Sequence, residues 1–190
     1  MGIYQGGYAM LLTQLIGLIG IGLLIVTFQV NSRRKMLFFQ ILTCLVWTIY
    51  YVLTGVYTGA GLVFLGAIRS YVFEKYKRHT WIYELAIVVF AAATFVTWKD
   101  WTSILALVGM IIATTAMWQE NPRYIRTISL FVMPFWLSYN YLNGSYLGMA
   151  GDLITFSSVV VGIYRFDITP LLRARSREKQ VSDAARVSLV

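Results

Sequence analysis

The feature that most constrains this chain is a succession of long apolar segments separated by short, basic loops. Hydrophobic residue types make up 58% of the 190 residues and charged types only 13%, and a soluble domain of this length could not bury so much apolar surface. Because the hydrocarbon core of a bilayer is about 30 Å thick, a spanning helix needs roughly 17–25 apolar residues. The seven predicted spans are Tyr8–Val30, Met36–Thr54, Thr58–Phe73, Trp81–Trp98, Trp101–Trp118, Thr127–Leu142 and Tyr146–Tyr164.

The basic residues indicate how these helices are oriented. Fourteen of the sixteen Lys and Arg residues lie in alternate loops and in the tail, whereas Lys99 lies on the opposite side and Arg69 lies within a span. Since loops rich in Lys and Arg stay in the cytoplasm, we expect the N-terminus outside the cell and the C-terminus in the cytoplasm. The tail, residues 167–190, is basic and suits contact with anionic lipid of the bilayer surface.

Several function classes are excluded by the residue types that the chain lacks. Cys44 is the only cysteine and His79 the only histidine, so neither an internal disulfide nor a zinc or haem site is expected, and no cofactor is implied. The absence of HExxH and GxSxG motifs and of clustered carboxylates argues against an enzyme. On an apolar chain, the net charge of +8 is typical of basic cytoplasmic loops rather than of nucleic-acid binding.

An internal repeat relates two parts of the chain. WTIYYVLTGVYTG at 47–59 and WLSYNYLNGSYLG at 136–148 are identical at six of thirteen positions, at an offset of 89 residues. A three-helix unit that starts outside the cell ends inside, so a second, parallel unit needs one extra helix to carry the chain back. We therefore predict an all-α polytopic membrane protein of 3+1+3 design, with a first repeat at 8–78, a linker helix at 81–98 and a second repeat at 101–166.

Two stretches carry a resemblance to a known family. GVYTGAGLVFLGAIRS (55–70) and WLSYNYLNGS (136–145) are similar to the YgjV-like bacterial inner-membrane proteins, a similarity that runs from about residue 10 to about residue 166. The 3+1+3 plan also resembles the SWEET sugar facilitators and the PnuC-type vitamin transporters, and half of it resembles the SemiSWEETs. The resemblance implies a bacterial cytoplasmic membrane protein that transports by alternating access, with its substrate site between the repeats. In SWEETs, prolines bend the helices around the pore, which makes Pro134, the one proline within a predicted span, a candidate gating residue.

Polar and aromatic side chains recur at helical spacing on one face of two predicted helices. These faces consist of Gln40, Cys44, Trp47 and Tyr51 on the second span and of their repeat mates Ser129, Met133, Trp136 and Asn140 on the sixth. Such a face suits a ligand cavity, with flat rings for stacking and polar groups for orientation, although helix packing would use the same residues. All of them except Cys44 and Met133 are candidate substrate-binding residues, and repeat symmetry predicts that the two indoles face one another.

Two charged residues lie within predicted spans and are candidates for coupling or gating. The carboxylate of Asp152 is too short to reach the membrane surface, so it must face protein or water, either as a proton-coupling group or as a ligand anchor. Arg69 lies about six residues from a basic loop, where its side chain either extends to the membrane surface or acts within the bundle. The two residues have similar predicted depths, which leaves an ion pair between them open.

Together these features predict a membrane transporter, either a facilitator or a proton-coupled carrier. Its substrate would be a small polar or aromatic-ring metabolite such as a sugar, a nucleoside or a vitamin, which the abundant Tyr and Trp residues suit equally. The alternatives are a substrate-capturing membrane subunit of a larger importer and an inner-membrane protein with a role other than transport. The expected partners are the substrate and the lipid bilayer, with no nucleic acid; a homo-oligomer is left open.

Overall fold

The protein is described by a computed structural model that covers residues 2–76 and 79–187. Helices and short turns make up this part of the chain, with no strand in it. The helices are α1 Gly2–Gln29, α2 Arg33–Leu53, α3 Tyr57–Lys75, α4 Thr80–Val96, α5 Thr102–Trp118, α6 Pro122–Ser129, α7 Met133–Leu142, α8 Tyr146–Ile163 and α9 Thr169–Val187, and a π-helical turn at Tyr164–Ile168 links α8 to α9. Lys77 and Arg78 of the second predicted basic loop, and the last three residues of the tail, lie outside the described residues.

Helix occupies each of the seven predicted spans, which confirms the all-α class. Three helical stretches among the described residues are long and apolar enough to cross a bilayer: Met10–Gln29, Arg33–Leu53 and Tyr146–Glu178. The helices α4 and α5 are also apolar but shorter. Large apolar side chains such as Leu11 on α1 and Phe95 on α4 are exposed on the outside of the bundle, as expected where a helix faces lipid rather than water.

The predicted sixth span, Thr127–Leu142, is divided into α6 and α7 by a tight turn. Phe131 and Val132 donate backbone hydrogen bonds to carbonyls only three residues earlier, at 3.0 and 3.1 Å. Pro134, near the start of α7, explains the break, because proline has no N–H to donate and its ring obstructs the carbonyl four residues before it. The expectation of one continuous helix over this span is therefore wrong.

The helices pack as two groups that share one interface. In one group α2 packs against α1 and α3, and in the other α7 packs against α5 and α8. Contacts of α1 with α8 and of α3 with α5 join the groups, while α4 packs beside α3 and α5. The core at this interface is rich in aromatic side chains, among them Trp47, Tyr50, Tyr51, Trp136 and Tyr139.

Two turns of the same geometry end α2 and α7. Gly55 and Gly144 have positive φ angles of 76° and 69°, a left-handed conformation that glycine adopts without steric cost. In both turns, the residue after the glycine donates its backbone N–H to the carbonyl five residues earlier, at 2.9 Å. This bond is the mark of a Schellman motif, and it sets how the chain enters α3 and α8.

Candidate functional site

A cavity of about 100 Å³ lies between the two helix groups. This volume accommodates several water molecules but is well below the roughly 300–1,000 Å³ of pockets for drug-sized ligands, so it suits a small ligand. Seven of the nine predicted site residues line it: Gln40, Trp47, Tyr51, Arg69, Ser129, Trp136 and Asp152. Asn140 and Pro134 do not.

Three aromatic rings form one wall of the cavity. Tyr51 lies 5.7 Å from Trp47 and 6.2 Å from Trp136 between ring centroids, and it stacks on Trp136 with an interplanar angle of 21°. The ring of Tyr51 thus contacts both indoles, while the expectation that the two indoles face one another stays a prediction. What remains for a ligand is the polar and aromatic surface beside this row of rings.

Each indole rests against a glycine of a neighbouring helix. A Cβ atom added at Gly20 would lie 2.9 Å from Nε1 of Trp47, and one added at Gly109 would lie 3.0 Å from Nε1 of Trp136. Real Cβ atoms do not approach other atoms so closely, so any larger residue would push the indole away from its helix. Glycine on α1 and on α5 thus determines where the aromatic wall stands.

A chain of hydrogen bonds runs behind this wall to the carboxylate. The Tyr51 hydroxyl donates to Oδ1 of Asn140 at 2.9 Å, and Nδ2 of Asn140 donates to Oδ2 of Asp152 at 2.8 Å. Asn140 is buried and both ends of its amide are engaged. Asn140 therefore joins Tyr51 to Asp152 without lining the cavity, and its predicted contact with a substrate stays a prediction.

Arg69 is buried within the bundle and does not extend to its surface. Only 4% of the residue is exposed. Its Nη1 donates to the Thr114 hydroxyl at 3.1 Å and its Nη2 to the Ser70 hydroxyl at 3.2 Å, while the guanidinium lies 5.9 Å from the ring centre of Phe90. Arg69 and Asp152 line the same cavity, but no ion pair joins them; the two ion pairs within the described range involve other residues.

Four buried polar atoms around the cavity have no hydrogen-bond partner among the described residues. They are Gln40 Oε1, Thr43 Oγ1, Trp47 Nε1 and Arg69 Nε, and all four residues line the cavity. Buried polar groups in native proteins are nearly always paired with protein, water or ligand. Four residues of the cavity lining thus each carry one buried polar atom whose hydrogen-bonding capacity the described part of the protein leaves unused.

A second buried arginine was missed by sequence reasoning, which placed Arg126 in a loop. Its side chain donates to both carboxylate oxygens of Asp167 at 2.7 and 3.0 Å, to the Val30 carbonyl at 3.3 Å and to Oδ1 of Asn31 at 3.1 Å. We call these four residues the Arg126 cluster. The sequence does contain a signal for it, since an Asn-Pro pair at 121–122 begins a helix and therefore places residue 126 inside one.

Arg33 makes a similar set of contacts at the same end of the bundle. Its Nε donates to the Gln119 carbonyl at 2.9 Å and its Nη2 to the Phe73 carbonyl at 3.1 Å, where α5 and α3 end. Guanidinium groups at helix C-termini satisfy free carbonyls and interact favourably with the helix dipole. We call this end of the bundle, where Arg33 and the Arg126 cluster lie, the basic end.

Comparison with known proteins identifies one family. A family model described as bacterial inner membrane protein, Imp-YgjV, matches residues 11–169 of the chain. No curated protein and no solved structure shows significant similarity to this chain. The match covers every helix that lines the cavity and both arginines of the basic end.

Proposed function

Because the chain belongs to the YgjV family of bacterial inner membrane proteins, we propose that it transports a small polar metabolite across the cytoplasmic membrane by alternating access. The substrate binds in the cavity between the two helix groups. The observation that carries the proposal is that four residues, each with a buried polar atom that has no partner among the described residues, line one cavity with an aromatic wall. A core built only for packing would pair such atoms or replace them with apolar groups, because each unpaired one costs roughly 1–3 kcal/mol.

The proposal includes the 3+1+3 arrangement of two parallel repeats, as in the SWEET and PnuC-type transporters that the chain resembles. Gly20 and Gly109, which support the two indoles, are 89 residues apart, as are the indoles themselves and the two left-handed glycines. The hydrogen bond from Tyr51 to Asn140 also joins residues 89 apart. Contact between equivalent residues is expected at a pseudo-two-fold axis between repeats, where such transporters bind their substrates.

Alternating access requires that one end of the bundle be closed while the other opens, and the arginines of the basic end suit this role. Arg33 bridges the ends of α3 and α5, while Arg126 bridges the end of α1 and the turn after α8. Each arginine therefore links its own helix group to the other one. In the proposed orientation this end faces the cytoplasm, and the break at Pro134 gives the second group a place to bend.

Binding and uptake by the purified, full-length protein test the proposal. A thermal-shift screen with sugars, nucleosides, vitamins and amino acids should find a stabilising ligand, and proteoliposomes should accumulate or equilibrate it. Trp47→Ala or Trp136→Ala should abolish binding while the protein remains folded, and Trp47→Phe should retain part of it. The matched control is Trp81→Ala, whose side chain is exposed and far from the cavity lining. Normal uptake by both cavity variants would refute the proposal.

The same vesicles separate the two transport modes and the alternative role. A facilitator equilibrates its substrate without a pH gradient, whereas a proton-coupled carrier concentrates it only when a gradient is imposed. If Asp152 is the coupling group, Asp152→Asn should abolish the gradient dependence. Ligand binding without any uptake, restored only by a further membrane protein, would favour the substrate-capturing subunit of a larger importer.

Orientation is tested with reporter fusions to the full chain. Reporters inserted after Lys35 and Arg126 should be active as cytoplasmic domains, and those after Gly55, Lys99 and Gly144 as external ones. This expectation follows from the positive-inside rule and from an odd number of spans. External reporters at both positions of the basic end would contradict the orientation, and reporters on opposite sides of the membrane would contradict the parallel arrangement of the repeats.

A further inference from the structure

Two opposite charges line the cavity without neutralising one another. Among the described residues, the Arg69 guanidinium donates to the hydroxyls of Thr114 and Ser70, and the Asp152 carboxylate accepts a hydrogen bond from the amide of Asn140. A buried charge that has no opposite charge beside it is costly, because its lost hydration is only partly replaced. The cavity therefore has room for a molecule that supplies both missing counter-charges.

Resting on the proposed transport function, we infer that the substrate is a small zwitterion of the amino-acid type, with its carboxylate on Arg69 and its ammonium group on Asp152. Such a molecule pairs the buried Arg69 and the partly buried Asp152 each with an opposite charge and has no net charge of its own. Its compact size also agrees with the cavity of about 100 Å³.

The remaining free groups of the cavity fit the two ends of such a ligand. Nε of Arg69 has no hydrogen-bond partner among the described residues and is therefore a donor for a carboxylate oxygen. For the ammonium group, the cavity offers the carbonyl of Gln40 as an acceptor. The faces of Trp47, Tyr51 and Trp136 add cation–π attraction, which tryptophan provides most strongly.

Other ligand classes match the site less completely. An uncharged sugar or nucleoside would displace water from both charged groups and leave each of them without a counter-charge. A simple amine would leave Arg69 unmatched, and a simple carboxylate would leave Asp152 unmatched. Only a ligand that carries both charges satisfies both groups at once, so selectivity should depend on the presence of both.

Matched analogues of two amino acids test this inference on the purified, full-length protein in detergent. L-Alanine is compared with ethylamine and propionate, and L-phenylalanine with 2-phenylethylamine and 3-phenylpropionate; each analogue lacks one of the two charges. Glucose and uridine represent the uncharged classes. Calorimetric titration should give a dissociation constant for at least one of the amino acids that is about tenfold or more below those of its two analogues.

Charge variants assign each end of the ligand. Arg69→Gln should remove the preference for the amino acid over its amine, because the carboxylate then has no partner. Asp152→Asn should remove the preference for the amino acid over its carboxylic acid analogue. The new asparagine side chain can still accept the hydrogen bond from Asn140. Arg69→Lys keeps the positive charge and serves where Arg69→Gln fails to fold. The controls are Arg34→Gln and Glu74→Gln, an arginine and a carboxylate that pair outside the cavity, which should leave every preference unchanged.

The outcomes distinguish this inference from the transport proposal on which it rests. Tightest binding and uptake of glucose or uridine would overturn the zwitterion inference and leave transport standing. Equal affinity for propionate and alanine, or for 3-phenylpropionate and phenylalanine, would make the cavity an anion site. Such a result would also overturn the zwitterion inference. Absence of binding and uptake for both amino acids would overturn the zwitterion inference, whereas the transport proposal fails only if the wider screen also finds no ligand.

Discussion

The cavity and the basic end each contain a buried arginine, and the two differ in how their charge is satisfied. Arg126 has a fully buried side chain that forms a two-pronged ion pair with Asp167, which is itself only 7% exposed, and further bonds to a carbonyl and an amide. Arg69 is 4% exposed, and among the described residues it has two hydroxyl partners, no carboxylate partner and one nitrogen, Nε, without a hydrogen bond.

This difference indicates which arginine is structural and which is available for a ligand. A guanidinium whose donors and charge are matched by the protein has nothing left to offer a small molecule, and its role is to hold chain segments together. A guanidinium that lines a cavity without a carboxylate beside it can obtain an opposite charge only from a bound ligand. Substitution should therefore affect stability at one site and binding at the other.

The largest expected effect is on the stability of the basic end. Arg126→Gln leaves the buried carboxylate of Asp167 unpaired, and breaking a buried ion pair in this way costs about 3–5 kcal/mol. Chemical unfolding in mixed micelles should show that loss, and Asp167→Asn should show a similar one. In a double-mutant cycle the two losses should be far from additive.

The control for this prediction is the exposed ion pair between Arg34 and Glu74, in which the arginine side chain is 85% exposed. Such surface pairs contribute about 0–1 kcal/mol, so Arg34→Gln should unfold almost as the natural protein does. If Arg126→Gln were no more destabilising than Arg34→Gln, the structural role assigned to the Arg126 cluster would be wrong.

A smaller effect is expected where glycine supports the aromatic wall. Gly20→Ala places a methyl group against the indole of Trp47, and overpacking of this kind costs roughly 1–3 kcal/mol; Gly109→Ala should act likewise on Trp136. The displaced rings would also change the cavity, so ligand affinity should fall. Gly22→Ala, with open space around its added methyl group, should preserve both affinity and stability.

Removal of one hydroxyl tests the hydrogen-bond chain behind the wall. Tyr51→Phe keeps the ring that contacts both indoles but deletes the bond to Asn140, at an expected cost of about 1 kcal/mol. Since Asn140 then loses one of its two anchors, the carboxylate of Asp152 should be held less firmly and binding should weaken. Unchanged affinity would show that the chain does not position Asp152.

Arg69→Gln is expected to change the stability of the protein least of all, although it should strongly reduce ligand binding. The substitution removes a buried charge that has no carboxylate partner, so the free energy of unfolding should stay within about 1 kcal/mol of the natural value. Ligand binding should nevertheless be lost or strongly reduced. A destabilisation as large as that of Arg126→Gln would erase the distinction between the two arginines.

The helical class and half of the cavity lining could be predicted from the sequence, largely because helical periodicity determines both. Apolar length alone indicates the helices, and residues such as Gln40, Cys44 and Tyr51 share a face wherever a helix forms. Their convergence with Arg69 and Asp152 on one cavity was expected only from the repeat. The 89-residue offset supplied the information that the two faces belong together.

Other features depend on tertiary contacts that spacing does not encode. Asn140 shares a helical face with Trp136, yet it lies behind the wall because its amide is held by both Tyr51 and Asp152. Arg126 was counted with the loop charges, although its partners Val30, Asn31 and Asp167 come from two distant parts of the chain. The break near Pro134, by contrast, was predictable from proline chemistry.

The Arg126 cluster also has a consequence for the order in which the protein is made. Val30 and Asn31 are translated early, Arg126 much later and Asp167 later still, so the cluster cannot form until the ribosome has passed residue 167. Until then the arginine lacks its counter-charge. The ion pair therefore forms only after α8 and the turn that follows it have been translated.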